Sequence, residues 1–382
     1  MTNYCYNITQ NYKGYLTGIP ISYGSDVDFE SIQEVLNYND VHSQDAELLK
    51  SALIFGVGYE IAYLDEEGKQ RFKVVEPRTV IPVYDNTLNQ ELTYVIRFYQ
   101  DDLVENENYL VEVYSNRSVK TYKSTRGFAS FNLIKEEPHY FNMVPISVFQ
   151  LNAEEESIFH QVMSLQDAYN ELVSAEVDDF QSFADAYMIM KGVYADEDLL
   201  ADAKSKRAFM IDADCDISYL TKNINDTQIE NMLQSLNDAI HKISNSPDFN
   251  DEKLMAQSGI AMRYKLLGFE NASSAIEANM RKAIQKRIEL ICAVLAIKGG
   301  EEAWRDVNIV FTRNLPENTV ETAQVVNSLR GLVSDETLLG LLPFVPDVEA
   351  ELERLKAQKE LNLDLYAFPT GNEGEDVSET EE

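Results

Sequence analysis

The side chains that could do chemistry are sparse and scattered in this chain. Its four histidines, His42, His139, His160 and His241, fall in separate segments, and none has a partner at the HxxxH or HxxE spacing that sets two ligands on one helix face. Asp212-Ala-Asp-Cys-Asp216 begins like a calcium loop, yet Ile217 and Asn223 occupy its sixth and twelfth positions, where the loop needs Gly and a bidentate Glu. Gly56-Val-Gly58 is half of a dinucleotide fingerprint, and Ile61 stands where the third glycine belongs; it reads as a turn from helix to strand. Cys5, Cys215 and Cys292 are odd in number and far apart, so they read as small hydrophobes and not as a disulfide framework or a metal site. Neither a Walker glycine-lysine loop nor GxSxG occurs. Nothing positive supports catalysis, and neither cofactor nor metal is expected.

Charge is where the chain is unusual. The 382 residues carry a formal net charge of −33. Residues 253–298 reverse the sign, with eight bases (Lys253, Arg263, Lys265, Arg281, Lys282, Lys286, Arg287, Lys298) against three acids (Glu270, Glu277, Glu289). Phosphate binding draws its affinity from Lys and Arg displacing counterions, so an acidic chain is not expected to coat DNA. It suits a protein that touches DNA without holding it.

Length sets two or three domains as the expectation, and 45% hydrophobic residues indicate a folded chain. The sequence has no apolar run of membrane-spanning length, and its first residues do not read as a signal peptide, so a cytosolic protein is expected.

The elements that must position these charges follow from periodicity. Residues 1–62 read as helix-rich, with helices at Asp26–Asn37 and Ser43–Phe55, the second capped by Asp40 or Ser43. From Tyr59 to about Gln150 the period is two, giving about six antiparallel strands closed by Pro138 and Pro145. A long helix is expected at Glu155–Tyr187. It is one-sided in charge, since Glu136 to Met190 contains eleven acids and neither Lys nor Arg. A β-α-β insert follows, then a helix at Asp226–Ser244, so that two antiparallel helices carry a small tip. A polar loop at Ser246–Gln257 leads into a helix over about Ser258–Ile297, with kinks expected at Gly268 or Asn271–Ser274. Val307–Thr312 reads as a strand, Thr319–Leu332, Ser334–Leu342 and Asp347–Leu361 as helices, and the acidic last twelve residues as a disordered tail.

This order, with YLTGIPISY at 15–23, VEPRTVIPVYDN at 75–86, LQDAYNELVSAEVDDF at 165–180 and SGIAMRYKLLGFE at 258–270, resembles the portal (head-to-tail connector) proteins of tailed bacteriophages, of the SPP1-type branch. The resemblance runs from about residue 12 to 360 and implies an α+β portal fold with β-rich wing, two-helix stem, small α/β clip, long kinked wing helix and helical crown. By position the wing would be 1–157, stem helix 1 158–186, the clip 187–225, stem helix 2 226–246, and the tunnel loop 247–257. The long wing helix and wing strand would be 258–318, the crown 319–361, and a disordered acidic tail 362–382.

The resemblance further implies a non-enzymatic homo-oligomer, twelve-subunit in the capsid, at one capsid vertex of the virion after assembly in the host cytoplasm. Its partners would be terminase, a head-completion adaptor, the major capsid and scaffolding proteins, and double-stranded DNA passing without sequence specificity; no membrane is implied. Asn250, Asp251, Glu252, Lys253 and Gln257 would face the channel, with Lys253 the cation that brushes phosphates. Glu171, Glu176, Asp178 and Asp179 would face the lumen or a neighbouring subunit. Arg281, Lys282, Lys286 and Arg287 form the intersubunit basic helix, making mainly intersubunit or intrachain salt links in place of DNA contacts. The alternatives are an acidic soluble multi-helical enzyme or regulator, or another ring-forming phage connector.

Overall fold

The computed structural model describes residues 1–25, 29–100, 109–125, 130–184, 188–191, 216–219, 226–249, 259–297, 303–314 and 319–342, with single or paired positions up to 358. Two compact units divide the chain, Met1–Asn314 and Leu315–Glu382.

The first unit opens with a helix that the periodicity did not single out, α1 (Tyr4–Thr17), because its buried stripe is built of tyrosines, Tyr4, Tyr12 and Tyr15, beside Ile8 and Leu16. Asn3 caps it by accepting from the Tyr6 amide at 2.9 Å. Next come α2 (Glu30–Tyr38) and α3 (Val41–Phe55). Asp40 does occupy the cap position of α3, but at φ 49 it makes no side-chain cap bond, so the expected cap is absent. Gly56 ends α3 at φ +80, and its amide reaches the Ala52 carbonyl at 2.8 Å. A Cβ there would stand 1.9 Å from the Glu155 carbonyl oxygen, so both the left-handed turn and the close approach require glycine.

Eight strands follow where about six were expected. β2 (Val57–Leu64), β3 (Gln70–Val75) and β9 (Ile146–Gln150) form an antiparallel sheet in the order β3-β2-β9. β4 (Val80–Tyr84), β5 (Leu92–Gln100), β6 (Tyr109–Tyr114), β7 (Ser118–Thr125) and β8 (Ser130–Pro138) form a meander in chain order. The two strands that went unread are β8, whose Lys and Glu residues blur its alternation, and β9, which follows the Pro145 taken as the end of the region.

The sheets pack face to face through Val57, Tyr59, Ile61 and Ile146 on one side and Val80, Val95 and Tyr114 on the other. Alternation turns Gly58, Glu60, Phe72 and Ser147 to the opposite face of the three-stranded sheet. There α3 and the long helix cover them.

That long helix is broken at Leu266, two residues before the expected Gly268. α6 (Gly259–Lys265) ends at Leu266, and α7 runs unbroken from Leu267 to Ile297, about 46 Å at 1.5 Å per residue. Asn271–Ser274 lies inside α7 and causes no kink. Gly268 serves a close approach instead, since a Cβ there would meet the Asn245 Oδ1 at 2.9 Å. The buried stripe of α7 includes Phe269, Ile276, Met280, Ile284, Ile288 and Ile291, and in line with it lies Arg287, 1% exposed.

Arg287 is the one cation in that stripe, and its guanidinium is spoken for inside the chain. Nε and one terminal nitrogen bind Glu60 of β2 in a fork at 2.7 and 2.8 Å, the other terminal nitrogen binds Asp45 of α3 at 2.6 Å, and the plane lies over Phe72 at 4.8 Å. Tyr23 donates its hydroxyl to the second oxygen of Asp45. Tyr23 lies in β1 (Ser22–Gly24), which pairs with β12 (Asn308–Val310).

The helix expected from Glu155 starts later. Glu155 sits at φ 55 in a turn closed by Asn152, and after a 3-10 turn at His160–Val162 the regular helix α4 spans Met163–Ala184. α4 and α5 (Asp226–Ile243) pack together. The two-stranded ladder β10 (Met188–Lys191) with β11 (Asp216–Tyr219) is antiparallel. The rest of the expected insert, its helix included, lies outside the described residues.

In the second unit, α8 (Thr319–Leu329) and α9 (Asp335–Gly340) are present, the latter capped by Ser334. The third expected helix is helical where described, at 351–352 and 354–356, and the expected acidic tail lies outside the described residues.

Removing one partner from a buried ion cluster strands the others without water. Arg287→Met is therefore expected to destabilise the chain by about 3–5 kcal/mol, and Arg287→Lys to lose most of the same, since an ammonium cannot reproduce the fork on Glu60 together with the Asp45 bond. Urea unfolding of the purified variants checks this; a Lys variant with wild-type stability would show that charge alone suffices.

Candidate functional site

Three elements converge where the chain leaves α5 for the polar loop. α1 is the piece that joins them. At its start, the Tyr4 amide donates to the Gln166 side-chain oxygen at 2.7 Å, the Gln166 amide group donates to the Thr2 carbonyl at 2.6 Å, and the Thr2 amide donates to Asn170 at 3.0 Å. The Tyr4 ring stands edge-on to Tyr169 of α4 at 5.2 Å, and its hydroxyl donates to Asn237 of α5 at 2.8 Å. About two turns on, Asn11 donates to the Ser246 hydroxyl at 2.9 Å and Tyr12 donates to the Ser244 carbonyl at 2.9 Å. Burial pushes the Tyr4 and Tyr12 phenols far above their ordinary range, with the Tyr169 hydrogen bond adding at Tyr4, so both remain protonated donors.

The exit from α5 is held tightly as well. Asn245 takes a left-handed φ of 53, and His241 donates from Nδ1 to the Ser246 carbonyl at 2.9 Å. Phe269 of α7 packs against Tyr12 and Tyr15, each ring at 4.6 Å, and Phe249 approaches Phe269 at 6.4 Å. Residues 244–249 and the first turn of α7 therefore meet on one aromatic and hydrogen-bonded platform made by α1. Asn250, Asp251, Glu252, Lys253 and Gln257 lie outside the described residues, between the two anchored ends.

A second charge network clamps α7 to the end of the unit. Arg313 binds Glu270 through Nε at 3.0 Å and a terminal nitrogen at 2.9 Å, and reaches Glu277 at 2.8 Å. Arg281 pairs with Glu277 at 2.7 Å and donates to the Ile309 carbonyl of β12. Tyr15 donates its hydroxyl to Glu270. Burial by itself would raise the Glu270 carboxyl, but hydrogen bonds from Arg313 and Tyr15 and the Arg313 charge outweigh it and hold the carboxyl below its ordinary range. Within the buried cluster, burial pushes Glu60 up against the pull of Arg287, while the two acids raise Arg287 well above its usual value despite its burial.

Placement of the expected site residues is uneven. Glu171, Glu176 and Asp178 are exposed on α4 and Asp179 is half-buried, with Asp178 and Asp179 making further contacts in the chain. Of the basic set, Arg281 has its intrachain partners, Lys286 pairs with Glu289 at 2.8 Å, and exposed Lys282 lies 3.3 Å from the Asn279 side chain. Arg287 leaves the intersubunit set altogether: it is buried and saturated within its own chain. Sequence reasoning missed its partners, although each left a trace. Asp45 precedes Leu48 and Leu49 by three and four residues, which puts it on the buried stripe of α3, and Glu60 interrupts the apolar run of β2.

Among the described residues, His139, His160 and Cys292 stand in separate settings. His139 donates to the Ser115 carbonyl at 2.8 Å, exposed His160 lies 3.6 Å from Glu156, and burial together with Glu289 pushes the Cys292 thiol up to about 11. Among the described residues, no group of three His, Cys, Asp or Glu is placed to hold a metal ion, and no helix is long and apolar enough to cross a membrane.

The described residues thus form an α+β chain of anchored helices and charge clamps. The chain belongs to the phage portal protein family, SPP1 Gp6-like, whose model matches residues 1–362. It is 23% identical over 384 residues to the portal protein of Bacillus phage SPP1, covering 94% of this chain and 75% of that protein. It is 24% identical over 350 residues to the portal protein of Clostridium phage phiCD119, covering 85% and 76%. The family is a structural, non-enzymatic phage component, found in the virion as part of an oligomer.

Glu270 offers a test of the clamp at α7. A carboxyl held below its unfolded value contributes stability that is complete above about pH 4.3 and lost as pH falls through the folded value. Wild type is thus expected to exceed Glu270→Gln in urea midpoint at pH 7, with the gap closing on acidification below the ordinary carboxylate range; a gap constant with pH would show that the Arg313 and Tyr15 bonds do not depend on the charge.

Proposed function

We propose that this chain assembles into the ring-shaped DNA channel at one capsid vertex of a tailed phage or prophage, a twelve-subunit ring in the capsid. In this reading it docks the terminase during packaging, later binds the head-tail adaptor, and conducts DNA in and out. The family match over residues 1–362 carries the reading. It is supported by the order of elements: a helix pair, a strand pair between its members, a loop anchored at both ends, and a long helix behind the loop.

In this reading α4 and α5 are the stem, the segment around β10 and β11 is the clip, the sheets and α7 are the wing, and 319–361 the crown. The charge is consistent with the task. A translocation channel must not grip its cargo, because each phosphate neutralised adds affinity that a motor then has to break. Twelve copies would carry roughly −400 formal charges, and such a ring repels a duplex from most of its surface. The described bases of the long helix are largely taken up: Arg281 and Arg287 by acids and a carbonyl of their own chain, Lys286 by Glu289. Lys253, in the loop, is then the cation offered to passing phosphates.

Mass measurement with negative-stain imaging is the direct test. A ring with a duplex-wide hole is expected, and a monomer or small dimer without one would sink the reading. Lys253→Ala is expected to alter the packaging rate and flatten its dependence on salt; if both stay at wild-type values, Lys253 is not on the DNA path.

A further inference from the structure

The five-stranded sheet has two apolar faces; one packs on the three-stranded sheet, and the other exposes large apolar side chains. Val80, Val95 and Tyr114 face the three-stranded sheet. Strand alternation and the ladder register put Ile81 and Val83 of β4, Tyr94 and Ile96 of β5, Val113 of β6, Tyr122 of β7 and Leu133 of β8 together on the far face, around the buried Val111 of β6. Ile81, Tyr94 and Leu133 are 49%, 46% and 54% exposed. Among the described residues, no helix or second sheet makes substantial contact with this face.

A face of this make-up is unusual on a solvent boundary. An antiparallel sheet with one wet side normally alternates apolar-in with polar-out, whereas here both sides of β4, β5 and β6 are apolar. Contiguous exposed apolar side chains of this kind mark a surface that meets a partner.

The charge pattern chooses the occupant. In a chain of net charge −33, copies repel one another wherever acids face acids. This face carries the Lys120–Glu136 pair, at 3.5 Å, and its sum is zero. It therefore lets a second copy approach without charge repulsion, and it offers no cations to a nucleic acid. We propose that the face formed by Ile81, Val83, Tyr94 and Leu133 is an interface between copies of this chain. It meets a different surface of the next subunit, as closure of a ring requires. This rests on the ring reading above and assigns that ring one of its contact faces.

Two measurements on the full chain test the interface. The first is native mass measurement of an Ile81→Lys/Leu133→Lys double variant, with circular dichroism and thermal melting as controls for folding. The second is a benzophenone side chain placed at Tyr94 in the otherwise wild-type protein, which needs no disruptive substitution. The expected result is a wild-type ring, loss of the ring in a double variant that stays folded, and a photo-cross-link of two chain masses from position 94. Rings that survive the double substitution and yield no such cross-link overturn the interface while leaving the ring reading intact. A wild type that forms no ring overturns the ring reading, and the interface falls with it.

Discussion

Much of the first unit depends on one buried guanidinium. Arg287 belongs to the long helix, and its three hydrogen bonds end on two other elements, α3 through Asp45 and β2 through Glu60, with β1 joined through the Tyr23 bond to Asp45. A hydrophobic contact would tolerate sliding of α7 along the sheet, because apolar packing is non-directional. A forked guanidinium–carboxylate pair does not, since its bonds fix both distance and plane. The cluster holds two acids and one base, and burial raises Glu60 in partial answer to that imbalance. Its value lies more in register than in net stability, because a well-packed apolar core of the same volume can be as stable as a buried ion pair.

The remaining charges near α7 extend the same logic to its ends. Tyr23 leads from the cluster into β1, β1 pairs with β12, and Arg281 returns from β12 to α7 through the Ile309 carbonyl. Arg313 closes a second circuit onto Glu270 and Glu277, about five and three turns ahead of the buried cluster. Of the four bases of α7, Arg281, Lys286 and Arg287 are thus taken up by carboxylates and a carbonyl of the same unit. That resolves why a strongly acidic chain keeps a basic helix without becoming a nucleic-acid-binding surface.

Periodicity made much of this fold legible, and its failures have physical causes. The helices α2, α3, α5 and α7 and the strands β2 to β7 carry their period in Leu, Ile, Val and Phe, and they lie near where the sequence put them. α1 was not singled out because a tyrosine stripe reads as half-polar until the partners of each hydroxyl are known, here Asn237, Ser244 and Glu270. The acidic helix was drawn too long because nothing in Glu154-Glu155-Glu156 announces the left-handed turn that Gly56 makes room for, a hundred residues away. Arg287 was grouped with its exposed neighbours since all four share a charge and a helix; only its position in the apolar stripe distinguishes it. The candidate loop 250–257 was legible as polar and punctuated, and its anchors were not, because they are tertiary.

Those anchors decide how the loop and the helix pair relate. Along α1, Tyr4 contacts the first turns of α4 and the C-terminal half of α5, Asn11 and Tyr12 the residues just past α5, and Tyr15 the aromatic start of α7. Residues 244–249 and Phe269 of α7 therefore rest on the same helix. Had α5 run straight into the loop without Tyr12 and Asn11 behind it, a change of tilt in α5 would be spent on its own C-terminus. With α1 bridging the helix pair to the platform under Phe269, a displacement of α4 or α5 must carry the start of the loop along or break several buried hydrogen bonds. The coupling rests on neutral bonds between phenols, amides and carbonyls, so it is insensitive to pH and salt in a way that the ion clusters beneath α7 are not.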